Sequence, residues 1–414
     1  MVNSLLLTIF ILNCGVISKL KYLFEKLFFF TTMNLLHFIC SDAFGGMELY
    51  IKELIAQQVK AGYTIVVLTK KNTRLAKELH ELNIPIYFIP NKASKFSLPL
   101  LFTIKNIVKK ENITHIHTHN NIDIWMASWF KYVFNKKIVH LNSTYMMMQK
   151  NKHQWHYKFL YHFVDGMSST SAMTNKSIEK NIPIQQHKIS LIPYGRSIQQ
   201  FIAHEPQRNK IRNQYHAQDK MVIAMLSRLD QEKGNLEFAQ AFLKLPKSIQ
   251  EQVQFWIIGE PTMAYLDANG QAVYEAQSQA IENAITNIVQ LNHLENKIIR
   301  IPFQKEYIAY LDAIDVFILP SYNEMYSLSL LDAMLMKKPI IGTNTGGTPE
   351  QLGEGERGTL IAARDVDAIA QAVEAIIANK KDAIAKANQA YAWAIQTHAW
   401  DATLKKYEAF YQAN

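Results

Sequence analysis

Short apolar runs, separated by longer amphipathic stretches, recur along most of the chain. Each run is rich in Ile, Val, Leu or Phe and is bounded by Gly, Pro, Asn or Asp, which is typical of a buried strand. The stretches between the runs repeat apolar residues at helical spacing. Strands are predicted in the first half at 34–40, 64–69, 84–89, 113–118, 138–142, 166–171 and 189–192. This alternation predicts a parallel α/β architecture.

The pattern restarts after 193-PYGRSIQQFIAHEP-206, a linker-like segment of Pro, Gly and polar residues. Strands are predicted again at 221–227, 254–259, 298–301, 316–319 and 340–343, and helices fill most of 365–413. We therefore expect two Rossmann-like doubly wound domains facing across a cleft, with ligands at the carboxyl ends of the strands. The predicted divisions are 33–195, 196–395 and a terminal helix at 396–414.

Residues 1–32 stand apart from this pattern. The apolar run from Leu5 to Ile17 is shorter than the roughly 20 residues that span a bilayer. No basic residue precedes it and no clear cleavage site follows, so it is a poor signal peptide. Lys19 to Phe30 could form an amphipathic helix on a membrane. The favoured alternative is a nonessential extension upstream of a start at Met33.

Charge is distributed unevenly along the chain. Residues 1–195 hold 23 Lys and Arg against 10 Asp and Glu, whereas residues 196–414 hold 21 against 25. A basic first half predicts an anionic surface or acceptor. No zinc-finger or RNA-recognition signature supports nucleic acid. The stretch from Lys131 to Lys158 mixes Lys with aromatic residues and Met, which favours anionic lipid, although an ordinary solvated face fits as well.

The two cysteines, Cys14 and Cys40, exclude a disulfide framework, and no spaced Cys/His cluster predicts a structural zinc site. A cytoplasmic location, with or without contact at the inner face of the plasma membrane, fits this composition. Asp365-Val366-Asp367 precedes a helical run, so N-capping explains it better than metal binding does. We expect no metal and no other cofactor.

The stretch 319-LPSYNEMYSLSLLDAMLMKKPIIGTNTGGTPE-350 is the most informative part of the sequence. Glu324 falls at a predicted strand-to-helix junction, and Asp332 lies five residues into the helix, roughly 7.5 Å along its axis. A helix N-terminus favours phosphate, so two flanking acceptors could hold a phosphorylated molecule with hydroxyls at both ends. A nucleotide-sugar has that form. Solvated acids at a helix start are the alternative.

The segment 227-SRLDQEKGN-235 follows the first predicted strand of the second domain. Arg228 offers a planar fork of donors and Lys233 a compact ammonium, a pairing suited to a diphosphate. Charge grows on a diphosphate as it leaves, so fixed cations there would lower the barrier by several kcal/mol. Surface charges on a βα loop are the alternative interpretation.

The first domain supplies two further candidates. Gly45 and Gly46 lie between a strand and a helix, where glycine permits close approach of an anion to backbone N–H groups. In 115-HIHTHN-120, His119 lies just past the strand end and is expected to face the cleft. Alternate histidines along a strand are about 6.6 Å apart, too wide for one metal centre.

These motifs, in this order, resemble the retaining GT-B glycosyltransferases of family 4. The resemblance covers residues 34 to about 395 and implies that Glu324 takes hydroxyls of the donor sugar and Asp332 the ribose. Asp332 replaces the usual Glu, and Met325 and Ser327 replace the usual glycines. The terminal helix would cross back to the first domain, as it does in that family.

The resemblance also implies further roles. His119 would orient the donor or acceptor, the Gly45-Gly46 loop would close on the donor phosphate, and Arg228 with Lys233 would hold the diphosphate. Backbone donors around phosphate and sugar would come from Tyr326, Ser327 and Gly346-Gly347, with Leu328 beside them and the base near Phe303 to Lys305. The implied course is front-face displacement with retention, in which the leaving phosphate helps to deprotonate the acceptor.

The predicted function is therefore transfer of a sugar from a nucleotide-sugar to a lipid-linked or surface-glycan acceptor, such as lipopolysaccharide or capsule. The first domain would bind the acceptor and the second the donor. A nonhydrolysing nucleotide-sugar epimerase and a catalytically dead glycan-binding module are the alternatives.

Overall fold

The computed structural model describes residues 33–42, 45–89, 94–266 and 271–414. The predicted extension at residues 1–32 lies outside the described residues. The chain divides into two compact units. Unit 1 comprises the described residues up to Thr170, Thr174–Ile192 and Leu404–Asn414, and unit 2 comprises Ser171–Met173 and Pro193–Thr403.

Unit 1 is built on one sheet of seven parallel strands. The strands are β1 (Asn34–Ile39), β2 (Thr64–Thr69), β3 (Ile86–Phe88), β4 (His115–Thr118), β5 (Val139–Thr144), β6 (Gly166–Ser169) and β7 (Ile189–Leu191). Their order in the sheet is β3-β2-β1-β4-β5-β6-β7. Strand β1 therefore lies inside the sheet. Strands β2 and β3 extend the sheet to one edge, and β4 to β7 extend it from the other side of β1 to the opposite edge, as in a doubly wound fold.

Six helices follow the strands of unit 1. They are α1 (Gly46–Lys60), α2 (Arg74–His80), α3 (Leu98–Lys110), α4 (Asn121–Val133), α5 (Trp155–His162) and α6 (Ala172–Asn181). The core includes Leu36 and Phe38 of β1 and Ile116 of β4, all fully buried. Strands covered on both sides carry continuous apolar runs, which is why the sequence pattern located them.

Unit 2 contains a sheet of six parallel strands and a separate antiparallel hairpin. The parallel strands are β8 (Met221–Leu226), β9 (Val253–Ile258), β12 (Ile298–Ile301), β13 (Val316–Leu319), β14 (Ile340–Thr343) and β15 (Thr359–Ile361), and the hairpin is β10 (Met263–Leu266) with β11 (Ala272–Tyr274). The sheet order is β12-β9-β8-β13-β14-β15. The described fold is thus two parallel-sheet α/β units, as the sequence pattern predicts.

Ten further α-helices follow in the described residues. They are α7 (Glu205–Gln214), α8 (Asn235–Lys244), α9 (Lys247–Gln250), α10 (Ala276–Leu291), α11 (Tyr307–Ala313), α12 (Leu328–Leu335), α13 (Thr348–Leu352), α14 (Val366–Ala378), α15 (Lys380–His398) and α16 (Trp400–Gln412). The core of unit 2 centres on Phe255, whose ring stacks on Phe238 at 4.4 Å between centroids. Within the described residues, no helix combines the length and the apolarity needed to cross a bilayer.

Three strands were missed by the sequence analysis. The hairpin strands β10 and β11 pair only with each other, and β15 has three residues at the edge of its sheet. Such short elements carry too few positions to reveal a period. The strands β13 and β14, in contrast, have the predicted bounds.

Candidate functional site

The chemistry predicted for the second half collects where two neighbouring strands of unit 2 end. Strands β8 and β13 lie side by side although nearly 90 residues separate them in sequence, and the sheet continues from each toward a different edge. The loops leaving such a pair diverge, which opens a crevice at the carboxyl ends of the strands. Lys233 follows β8 in a turn of 3₁₀ helix at Gln231–Lys233, and Glu324 follows β13.

Lys233 and Glu324 form an ion pair across this switch point. The Lys233 Nζ atom donates to the Glu324 Oε2 atom at 2.7 Å, and their side chains are 22% and 17% exposed. Arg228, directly after β8, is exposed, and no ion pair among the described residues involves it. The structure therefore joins two of the four charged residues that the sequence singled out in the second half, in a place where small molecules can reach them.

Glycines hold the two loops close together. Gly234, with φ of 71°, would place a Cβ 2.2 Å from the Pro320 carbonyl oxygen, and Gly346, with φ of 61°, would place one 2.1 Å from the Glu324 carbonyl oxygen. The Gly347 N–H donates to that same oxygen at 2.6 Å. Side chains would clash at these positions, so glycine is required for packing around Glu324. That the backbone at Gly346 and Gly347 surrounds a phosphate stays a prediction.

Asp332 has protein partners that the sequence analysis did not foresee. Arg196 holds its carboxylate with two hydrogen bonds, 2.8 Å from Nε and 2.7 Å from Nη2, and the Tyr307 hydroxyl donates at 2.9 Å. Asp332 is buried, and Arg196 is nearly so. The missed residue, Arg196, lies in the predicted linker, where a lone arginine gives no signal of its buried partner.

The remaining predicted donor-site residues of unit 2 differ in accessibility. Tyr326 is buried and its hydroxyl pairs with His398 Nε2 at 2.7 Å, while the Ser327 N–H donates to Gln351 Oε1 at 2.8 Å. The role of Ser327 as a backbone donor to phosphate or sugar stays a prediction, and in the structure its N–H donates to a side-chain amide. Ser327 caps helix α12.

Two donor-site candidates remain exposed or half-buried. Phe303, predicted near the base, is 64% exposed in the loop after β12. Leu328 is the first residue of α12 and is half-buried. An exposed ring beside a polar loop can stack on a heterocyclic base.

In unit 1, Gly45 and Gly46 lie where helix α1 begins, as predicted. Gly45 is the N-cap residue, and its N–H donates to Glu48 Oε2 at 2.9 Å. Glu48 is buried and also accepts from Ser41 Oγ at 2.6 Å. Glu48 therefore serves the helix start, and the N–H of Gly45 already has an anionic acceptor.

His119 follows β4 as predicted, but its side chain is buried rather than open to a ligand. Its Nε2 atom lies 2.9 Å from His37 Nδ1, and its Nδ1 atom lies 2.9 Å from the Tyr145 hydroxyl. His37 Nε2 in turn faces the Gln58 Oε1 atom at 2.9 Å. The expectation that His119 faces a cleft fails for a tertiary reason: strand β1 lies beside β4 and brings His37 against it.

The hydrogen bonds define the proton positions in this group. An amide oxygen only accepts, so with Gln58 Oε1 facing it, His37 Nε2 carries the proton and His37 Nδ1 accepts from His119 Nε2–H. His119 Nδ1 then accepts from the Tyr145 hydroxyl. Burial lowers the pKa of His37 to about 4, and it lowers the pKa values of His117 and His119 well below the usual range. The rings are therefore neutral at physiological pH.

The same group bears on the metal question. One ring nitrogen each from His37, His117 and His119 lie within 4.8 Å of one another. Spacing along the strand groups His115 with His117 and His119 as candidate metal ligands. The sheet register instead places His37 opposite His117. All six ring nitrogens have protein partners, since His117 contacts Tyr411 and Ser143 at 2.9 and 2.7 Å. A hydrogen-bonded network thus accounts for the group without a metal.

Asp123 ties the loop that bears His119 to the end of β1. Its carboxylate accepts from the Cys40 N–H at 2.9 Å, from the Asn120 N–H at 2.9 Å and from the His119 N–H at 3.4 Å. Burial raises the pKa of Asp123 to about 7, against the opposing effect of these backbone donors. Elsewhere, Asp365 accepts from the Ala368 N–H at 2.8 Å and caps α14, as predicted.

Two protein-family models match the chain. The model of the glycosyl transferases group 1 family matches residues 207–393, and the model of glycosyltransferase family 4 matches residues 44–200. Together the two matches cover most of the chain and fall on the two units in turn.

Individual relatives are distant. The chain is 25% identical over 213 residues to the capsular polysaccharide biosynthesis glycosyltransferase CapM of Staphylococcus aureus, covering 51% of each chain. It is 24% identical over 212 residues to the putative teichuronic acid biosynthesis glycosyltransferase TuaC of Bacillus subtilis, covering 51% of this chain and 47% of TuaC. The chain thus spans about half the length of these two relatives. The 2-deoxystreptamine N-acetyl-D-glucosaminyltransferase of Niallia circulans is 24% identical over 359 residues, 79% of this chain and 87% of the relative.

Solved structures show the same fold. Anabaena HepE in complex with UDP superposes with a TM-score of 0.78 at 16% identity and covers 92% of this chain and 100% of its own. A glycosyltransferase from Rickettsia africae gives a TM-score of 0.78 at 18% identity, covering 92% and 98%. At these identities the likeness concerns the fold alone.

Proposed function

The chain belongs to the group 1, family 4 glycosyltransferases, and we propose that it transfers a sugar from a nucleotide-sugar donor to a glycan acceptor. The observation that carries the proposal is the Lys233–Glu324 ion pair at the β8–β13 switch point. Ligands of doubly wound sheets bind at such points. The names of the capsular and teichuronic acid relatives further support a cell-envelope glycan as the product.

Each member of this pair has a natural partner in a nucleotide-sugar. The Lys233 ammonium would move to the diphosphate, whose negative charge grows as the sugar leaves, and Glu324 would accept hydrogen bonds from sugar hydroxyls. The exchange leaves neither charge unpaired, and both side chains are partly exposed already. Arg228, exposed on the same loop, would add a second cation to the diphosphate.

Recognition of the ribose would use Asp332 together with the groups that hold it. Arg196 fixes the carboxylate orientation with two hydrogen bonds, whereas the Tyr307 hydroxyl supplies a single O–H donor at 2.9 Å. A ribose hydroxyl is also an O–H donor, so it can replace Tyr307 without changing the charge on the site. Tyr307→Phe should therefore retain nucleotide binding. Asp332→Glu should also retain it if Asp332 differs from the family's usual Glu only in how far its carboxylate reaches.

The remaining features of the proposed reaction come from the family resemblance. The sugar would be transferred with retention, by front-face displacement and without a divalent metal. The leaving phosphate would assist deprotonation of the acceptor, which we take to be lipid-linked. Peripheral contact with an anionic membrane belongs to this proposal, because a lipid-linked acceptor stays at the bilayer surface.

The test offers UDP-, GDP- and ADP-sugars to the protein in EDTA and measures nucleotide release, binding and the anomeric configuration of the product. Lys233→Met should lower turnover by at least about 10²-fold. Lys380→Met, which removes an equally charged but exposed lysine of the same unit, serves as the matched control. Conversion of the donor sugar without an acceptor would instead identify an epimerase. Glycan binding without any nucleotide-sugar binding would identify a catalytically dead module.

A further inference from the structure

Three neighbouring helices of unit 1 expose an unusual number of large apolar side chains. Helices α3, α4 and α5 pack side by side. Of sixteen large apolar side chains exposed among the described residues, six lie on these helices or on the segment leading into them: Phe96, Leu98, Phe102, Tyr132, Val133 and Trp155. We call this surface the aromatic–lysine face. Trp155, at 81% exposed, is its most open member.

Helical spacing places these side chains on one side of each helix. Leu98 and Phe102 are four residues apart on α3, and Trp155 and Phe159 are four apart on α5. Ring contacts then join the helices: Trp129 on α4 contacts Phe159 at 5.4 Å between centroids. The face is therefore continuous from one helix to the next.

Further ring contacts extend the same surface. Phe96 meets Trp129 at 5.4 Å, Tyr132 meets Phe159 at 5.3 Å and Tyr132 meets Phe163 at 5.4 Å. Trp129, Phe159 and Phe163 are half-buried and support the surface from below. Phe96 and Tyr132 are exposed and therefore available to a partner.

The charge around this face is strongly positive. Residues 94–163 contain ten lysines and only two acids, Glu111 and Asp123, and Asp123 is fully buried. Lys105, Lys109, Lys136 and Lys158 are exposed and lie three to seven residues from an exposed aromatic residue of the face. Lys105 Nζ lies 4.9 Å from the Phe134 ring centroid. Long lysine stems can cover apolar surface while the ammonium stays in water.

We propose that the aromatic–lysine face is the surface by which this protein docks on a bilayer containing anionic lipid. Trp and Tyr favour the polar–apolar boundary of a membrane, and lysines beside them attract anionic headgroups. A nucleic acid would also be attracted by the lysines, but it would not require the exposed aliphatic residues Leu98 and Val133. The proposal does not depend on the transfer reaction, because docking is measured without a donor.

The charge part is tested by sedimenting the full chain with vesicles of phosphatidylcholine alone or with about one third phosphatidylglycerol. Wild type should bind only the anionic vesicles, and added salt should release it. A variant with Lys105, Lys109, Lys136 and Lys158 changed to Gln should lose at least about tenfold in partitioning. The matched control changes Lys60, Lys71, Lys77 and Lys405 to Gln, which are also exposed on unit 1 but lie outside helices α3, α4 and α5. The control should bind like wild type.

The apolar part is tested with Phe102→Ser and Trp155→Ser in one chain. It should lose at least about tenfold in partitioning at unchanged net charge. Tyr265→Ser with Leu291→Ser, two exposed positions of unit 2, is the matched control. Turnover of a water-soluble acceptor should be unchanged in all four variants, which separates failure of docking from failure of the enzyme.

Three results would overturn the proposal. The first is equal loss in the face and control lysine variants, which would show a net-charge effect alone. The second is undiminished binding by both face variants, which would assign docking to another part of the chain, including residues 1–32. The third is an oligonucleotide binding more tightly than anionic vesicles and depending on the lysines but not on Phe102 and Trp155.

Discussion

The two parallel sheets among the described residues end in sites that differ in charge and in exposure to solvent. In unit 2 the strand ends present charged groups, the Lys233–Glu324 pair and Arg228, to solvent. In unit 1 the end of β4 presents His119, which is buried, neutral and hydrogen-bonded to His37 and Tyr145. The same parallel architecture thus supports a charged, accessible site in one unit and an uncharged, closed network in the other.

The difference indicates that the strand ends of unit 2 would bind the ligand, whereas those of unit 1 would support the structure. Charged groups that can exchange partners suit the binding of a diphosphate, whose charge changes during the reaction. A buried network with every nitrogen engaged instead holds the strand ends β1 and β4 in one arrangement. We expect variants in unit 2 to affect turnover first, and variants in the histidine network to affect stability first.

Acidification should affect unit 1 most. Burial lowers the pKa values of His37 and His140 to about 4, so the unfolded chain binds more protons between pH 4 and 6.5. Their contribution to stability is present above pH 6.5 and is lost as the pH falls toward 4, up to about 3 kcal/mol for each. Asp123, with a pKa raised to about 7, opposes this trend across the same range, because its folded form gains a proton before the unfolded form does.

The measurement is hydrogen exchange at pH 7 and pH 4.5, read on peptides from β1 and β4. Protection should fall in these strands before it falls in β8 and β13. Equal protection of β1 and β4 at both pH values would mean that the histidines are not buried and neutral, and the contrast between the units would disappear.

Arg196→Met should destabilise unit 2 by about 3 to 5 kcal/mol, because it leaves the buried Asp332 carboxylate without its cation. The double variant Arg196→Met with Asp332→Leu should recover most of the loss, since it removes both charges. Urea unfolding of the two variants measures the effect. A cost below about 1 kcal/mol in the single variant would show that the pair is solvated in solution.

Glu324→Gln should lower turnover by at least about 10²-fold, or about 2.7 kcal/mol of barrier, while the melting temperature changes little. Its charge is lost but its shape is retained, so Lys233 remains available to the diphosphate. Glu295→Gln, at an exposed position of the same unit, is the matched control. Normal transfer by the Glu324 variant would remove this carboxylate from the site.

Tyr145→Phe should have the smallest effect, a loss of about 1 kcal/mol in stability, because it leaves His119 Nδ1 without the hydroxyl that donates to it. If the network only supports the strand ends, kcat and KM should both stay within about threefold of wild type. Tyr265→Phe, which removes an exposed hydroxyl, controls for the substitution itself. A large selective loss of kcat would instead give His119 a direct part in the reaction.

Much of the architecture follows from local patterns in the sequence. Buried strands such as β13 and β14 appear as short apolar runs, because a strand covered on both faces has no polar side to interrupt it. The helix cap at Asp365 could also be predicted from the sequence, because a capping side chain accepts from a backbone N–H only three residues further on. The hairpin β10–β11 could not be predicted, because strands of four and three residues have too few positions to show a period.

Partners distant in sequence were the main source of error. That Asp332 binds a ribose stays a prediction, but its partner Arg196, 136 residues earlier, was not foreseen. His119 was expected to be open, but His37, 82 residues earlier, lies against it. In both cases the residue itself was located correctly, while its neighbours depended on which strands and loops meet in space.

The sequence by itself determined the parallel α/β class, the family and the positions of Glu324, Lys233 and Arg228, because these depend on periodicity and on short motifs. Only the tertiary structure decided that Lys233 meets Glu324, that Asp332 meets Arg196 and that the histidines close on one another. The physical reason is strand order. A doubly wound sheet places β8 beside β13 and β1 beside β4, and the spacing of residues along the sequence does not show which strands are adjacent.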